Sequence, residues 1–174
     1  MNEMKKIILI LNHVQAGMGS DENAQLAPSG KKTALGPGQT LNPLFKEHDA
    51  QIIATLFCGD QYYEGHQAEV QKKFIGFAKK FEADAVLCGP AMHYPYFGEM
   101  AASLTEALNK AGIPAAAAMS EENPAVEKYE KKVAIIKMPK KGGIGLNDSF
   151  KNMAAYVSAL AHDEDVSNMQ AMLF

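Results

Sequence analysis

An α/β fold with a five-stranded, mostly parallel sheet is what this sequence predicts, and two observations predict it. Short apolar runs alternate, from one end of the chain to the other, with stretches whose apolar residues recur at helical spacing. The first run, Lys5–Asn12, is apolar almost without interruption, as in a strand covered on both faces. Repeated strand–helix alternation implies right-handed crossovers and parallel pairing. The expected architecture is a three-layer sandwich of the Rossmann/flavodoxin-like class, with strand order 2-1-3-4-5.

After the first strand, residues 13–40 form a long connection containing Gly17, Gly19, Gly30, Gly36 and Gly38. Connections of this length without structure are uncommon in a compact domain, and are usually functional or mobile. Gly36-Pro37-Gly38 marks a tight turn, and a short helix is expected over 42–48. Residues 51–57 form the second strand. Val70, Phe74, Phe77, Ala78 and Phe81 then predict a helix over 67–82. The third strand, 83–87, opens onto Cys88-Gly-Pro-Ala-Met-His-Tyr-Pro-Tyr-Phe-Gly-Glu99 before a helix over 100–111 that stops at Gly112. The fourth strand, 113–119, has alanine at 115–118, so something large is expected to pack on it. Asn123 followed by Pro124 suits the cap and first turn of a helix running to 132. The fifth strand is 133–138 and the last helix 147–161. Residues 1–162 thus read as one domain. Residues 163–174 read as a tail, acidic and then apolar, which docks on its own sheet edge or forms an association surface such as a homo-oligomer contact.

The 174 residues suit a single domain with a full core. A net charge of −3 argues against nucleic acid as partner. All 17 basic residues are lysine, so an anion must be held without the bidentate guanidinium fork. No apolar run reaches the roughly 18 residues that span a bilayer, which argues against a membrane partner. Ile7 to Leu11 is shorter than the roughly 7–15 residues of a signal-peptide core, so a cytoplasmic location is expected. Two cysteines make neither a disulfide framework nor a zinc site.

In a parallel sheet the C-terminal strand ends share one edge, where open α/β sheets bind ligands. That edge collects Asn12 and His13, then Cys58 and Asp60 with Tyr62, then Gly89, Pro90 and His93, then Glu121, Glu122 and Asn123. These are the candidate binding residues. Cys58 has two readings, a nucleophile activated by nearby N–H groups or a small buried hydrophobe. His13, Asp60, His93 and Glu121 lack metal-ligand spacing, so separate hydrogen-bonding roles and no metal are expected. Gly142-Gly-Ile-Gly145 before a helix is either an anion cradle or a turn. Cys58 and Cys88 are expected to stay unbonded, since strand one would separate them by about 10 Å.

Four segments carry a resemblance: Gly36-Pro-Gly38, Phe57-Cys-Gly-Asp-Gln-Tyr-Tyr63, Cys88-Gly-Pro-Ala91, and Gly112-Ile-Pro-Ala115 continuing to Met119-Ser-Glu-Glu-Asn-Pro124. In this order and spacing they resemble the selenoprotein B family of the glycine, sarcosine and betaine reductase complexes. The resemblance implies an oxidoreductase component of anaerobic amino-acid metabolism that acts on a small amino acid or amine and works with other complex subunits. It implies reductive C–N cleavage with a pyruvoyl group and a selenocysteine borne by partners. This sequence looks like the family's N-terminal domain without the selenocysteine region, so no cofactor is expected in this chain. The alternative is a non-catalytic protein that binds a small metabolite in the same strand-end pocket.

Overall fold

The structure is a computed structural model and describes residues 3–174; Met1 and Asn2, included in the expected domain, lie outside the described residues. Six strands form one mixed sheet: β1 (Lys5–Asn12), β2 (Ser29–Lys31), β3 (Ala50–Cys58), β4 (Ala85–Cys88), β5 (Ala115–Ser120) and β6 (Ile135–Met138). Their order is β2-β3-β1-β4-β5-β6. The five parallel strands stand in the predicted order. The count needs correction, because β2 adds a sixth strand, antiparallel to β3, with Ser29 opposite Phe57 and Lys31 opposite Thr55. Three exposed residues of sequence Ser-Gly-Lys carry no apolar pattern. Their extended form follows from the unpaired edge of β3, a tertiary cause that local sequence does not encode.

Among the described residues there are six α-helices: α1 (Gly38–Lys46), α2 (Asp60–Gly65), α3 (Gln67–Lys80), α4 (Pro95–Lys110), α5 (Pro124–Tyr129) and α6 (Leu146–Ala161). α6 packs on α1 and lies over β1, β4, β5 and β6. α4 packs on α2, α3 and α5 and lies over β1, β4 and β5. Two helices covering the same strands must lie on opposite faces, so the sheet is sandwiched between two helical layers. Ile7 to Leu11 of β1 are accordingly buried on both faces. Ala115 to Ala118 of β5 are buried as well, and their methyl groups let α4 and α6 approach closely.

The connection between β1 and α1 is not structureless. Beyond the short strand β2, it is fastened to the end of β3, where Gly59 N–H donates to the Leu26 carbonyl at 2.8 Å. Gln61 and Tyr62 N–H groups donate to the Ala24 carbonyl at 3.1 and 2.9 Å. The loop so supplies an acceptor for the otherwise unpaired N–H groups that open α2. A Cβ on Gly59 would overlap the Ala24 carbonyl, so only glycine lets the loop lie this close.

Residues 163–174 fold back onto the far edge of the sheet, the first of the two sequence-based expectations for them. Leu173 bridges Ile136 in antiparallel fashion, and Phe174 N–H donates to the Ile135 carbonyl at 3.1 Å. Among the described residues, no helix is long and apolar enough to cross a membrane.

Candidate functional site

The chain leaves β1 through Asn12, which is buried and bonded through both its amide nitrogen and its amide oxygen. Its Nδ2 donates to Asp60 Oδ2 at 3.0 Å, and its Oδ1 accepts from Gln15 N–H at 2.9 Å. Because Asn12 stands in register with Cys58, the first residue of α2 lies within reach of its amide. The bracket fixes the Asp60 carboxylate by one oxygen and leaves the other for solvent or ligand.

His13 follows, 2% exposed, and neither of its ring nitrogens has a hydrogen-bond partner. Buried polar groups are nearly always paired, so an unpaired imidazole in a native interior points to something the protein does not itself supply. Asn12, His13 and Asp60 line a cavity of about 270 Å3, walled by Gln15, Ser20 and Gln61 and by Tyr94 and Tyr96 at the start of α4. At its edge the Ser20 hydroxyl bonds the Glu22 carboxylate; this bond, with the backbone N–H of Glu22, holds Glu22 below the usual carboxylate range.

A second cavity of about 320 Å3 adjoins the first, with Gln15 and Tyr94 in common. It contains His93, Ser120, Lys140 and Lys141, with Gly142 and Gly143. His93 lies against Tyr94, their ring centroids 4.4 Å apart. Glu121 pairs with Lys140 at 3.4 Å, and Glu122 accepts from Lys141 N–H at 3.1 Å. Both carboxylates therefore serve to place the loop after β6.

Other candidates are structural by their contacts. Asn123 caps α5 by accepting from Ala125 N–H at 3.0 Å, as its position before Pro124 predicts. Its Nδ2 donates to the Met92 and Tyr94 carbonyls at 3.2 and 3.0 Å, clamping the loop after β4. Gly89 and Pro90 are buried at the end of β4 and line neither cavity. Tyr62 turns away, bonding Glu69 at 2.7 Å and stacking on His66.

Cys58 is fully buried, with its thiol directed at the Leu26 and Gly59 carbonyls at 3.6 and 3.3 Å. Burial, reinforced by the Asp60 carboxylate, pushes the thiol up to about 12. A cysteine nucleophile needs the reverse shift, so this environment matches the small buried hydrophobe. Burial likewise pushes Cys88 up to about 12, and both cysteines are free. Among the described residues, no group of three or more His, Cys, Asp or Glu is arranged to hold a metal ion.

Sequence reasoning missed Gln15, Ser20, Gln61, Tyr94 and Tyr96 as cavity walls. The signal for the tyrosines was present: they flank Pro95, the first residue of a helix, and are large aromatics at a polar position, 45% and 50% exposed.

The family model described as glycine/sarcosine/betaine reductase selenoprotein B matches residues 4–172. The chain is 34% identical over 162 residues to the glycine reductase complex component B subunit gamma of Carboxydothermus hydrogenoformans, covering 92% of this chain and 37% of that protein. It is 31% identical over 160 residues to the sarcosine reductase complex component B subunit beta of Peptoclostridium acidaminophilum, covering 91% and 36%. The betaine reductase complex component B subunit beta of the same organism is 27% identical over 134 residues, covering 76% and 30%. The chain thus spans little more than a third of the length of the curated relatives it matches. No solved structure matches it. With the four sequence segments and a family match along nearly its whole length, the chain belongs to the selenoprotein B family of glycine, sarcosine and betaine reductases.

Proposed function

We propose that this chain is a component of a glycine-, sarcosine- or betaine-type reductase complex and that its strand-end cleft receives the small amino-acid substrate. The carrying observation is the family match over residues 4–172, to which the relatives' place in such complexes lends the function. The cleft supports the reading: Asn12, His13 and Asp60 meet at the C-terminal edge of the parallel sheet, where α/β folds bind ligands. Its role is to bind and orient. Asp60 presents a carboxylate, His13 a ring with free hydrogen-bonding capacity, and Tyr94 and Tyr96 close one wall.

The redox step falls to a group outside these residues. Both thiols are buried and held in the protonated form, so neither offers a thiolate to the cleft. A selenocysteine or pyruvoyl group on another polypeptide or segment would supply that chemistry. Its partners in this reading are other complex subunits rather than nucleic acid or membrane, and its location is the cytoplasm. The strand order and helical layers also fit a flavodoxin-like assignment for the fold.

Affinity purification of the full chain from its native anaerobic lysate tests this. Reductase subunits are expected to co-purify, and lysate depleted of the chain is expected to lose amino-acid-dependent reductase activity. Recovery of the chain alone, with activity intact, would instead favour a free metabolite-binding protein.

A further inference from the structure

The relatives' names span three kinds of nitrogen: primary in glycine, secondary in sarcosine and quaternary in betaine. The cavity is not indifferent among them. We propose that it is a site for an ammonium group that carries N–H bonds, primary or secondary, and that it rejects a quaternary one. The proposal rests on the reading of the cleft as a substrate site and names the class of substrate it accepts.

The cavity's fixed charge selects for a cation. Asp60 lines it with one carboxylate oxygen uncommitted, and no lysine is among its described lining residues. The lysines of this region line the neighbouring cavity instead. An anion alone has nothing here to neutralise it.

Hydrogen bonding then selects among cations. A neutral imidazole has one donor and one acceptor nitrogen, and those of His13 are buried and unpartnered. An ammonium N–H satisfies the acceptor nitrogen of His13, and a second N–H satisfies the free oxygen of Asp60. A quaternary nitrogen has no N–H, so its binding would leave both acceptors desolvated and unpaired. Sites built to hydrogen-bond a ligand reject analogues that lack the bond.

A quaternary ion would need aromatic faces in compensation. The aromatics lining the cavity are Tyr94 and Tyr96, both about half exposed, and Tyr94 already lies against His93. That is an open wall rather than an enclosing cage.

The test is titration of the isotope-labelled full chain with methylammonium, dimethylammonium, tetramethylammonium and acetate, followed by the His13 ring C–H resonances in NMR. Methylammonium and dimethylammonium are expected to shift those resonances and to bind at least about tenfold tighter than tetramethylammonium, with acetate silent. Asp60→Asn keeps an acceptor for Asn12 while removing the charge, and is expected to weaken both N–H-bearing ions by about tenfold or more. Should that variant not fold, the comparison of the ammonium ions on the unaltered chain decides alone. Equal affinity for tetramethylammonium, or no shift of His13 with any ammonium ion, overturns the proposal. Membership of the complex is read by co-purification and stands or falls separately.

Discussion

Gly98 and Asn123 share one space: a Cβ built on Gly98 would overlap Oδ1 and Nδ2 of the Asn123 side chain. The glycine of α4 is thereby what allows Asn123 to cap α5 and hold the loop after β4 at once. Glycine to alanine inside a helix normally gains about 1 kcal/mol. Here the displaced amide leaves buried groups unpaired, each costing about 1–3 kcal/mol. Gly98→Ala is therefore expected to lose about 1–3 kcal/mol net, read as a lowered midpoint in urea. A gain would show that Asn123 can move without cost.

Gly76 is the matching control, since nothing lies within 4 Å of a Cβ built there, in the middle of α3. Gly76→Ala is expected to stabilise by about 0.5–1 kcal/mol. For a chain of this size that is a rise of roughly 1–4 °C in the thermal midpoint.

The buried thiols set an alkaline limit. Burial raises Cys58 and Cys88 from 9.0 to about 12, so between those values the unfolded chain has lost protons that the folded chain keeps. Unfolding then releases protons and stability falls as pH rises. The loss is expected to begin near pH 9 and level off near 12. A matching observation is that both cysteines resist alkylation at pH 8 in the native protein and react fully in denaturant. Native-state labelling of Cys58 at the rate of a free thiol would contradict its burial.

His13 should trade stability for binding. Replacing an unpaired buried polar ring by an apolar group of similar size removes a desolvation cost of about 1–3 kcal/mol. His13→Leu is expected to raise the denaturation midpoint while abolishing the response to methylammonium. A drop in stability of that size would mean that the imidazole has a partner in the folded protein.

The parallel strands were legible because each is a run of apolar residues covered on both faces, and such burial writes itself into composition. The extended form of Ser29–Lys31 was not, because it comes from pairing with β3 and not from its own three residues. Residues 60–65 hid for a similar reason: that short helix depends on acceptors from Ala24, far away in the chain. Strand-end position was enough to bring Asn12, His13 and Asp60 to one cavity. It said nothing of depth, which is why Cys58, beneath the Leu26 backbone, could also be read as a nucleophile. Tyr94 stands just before α4 and Tyr96 in its first turn, and the Tyr94 carbonyl is held by Asn123, a contact from a distant part of the chain.

Both margins of the sheet are occupied by the chain itself. On one side the three-residue β2 covers β3, followed by Lys32, and on the other Leu173 bridges Ile136 while Phe174 N–H donates to the Ile135 carbonyl of β6. Unpaired strand margins are templates on which foreign or identical chains grow fibrils, and short charged or covered margins deny them a start. A chain with an open cleft and exposed tyrosine rings can so remain dispersed at high concentration. Recognition of any other chain is left to the helical layers and the strand-end face, where it depends on side chains and can be selective.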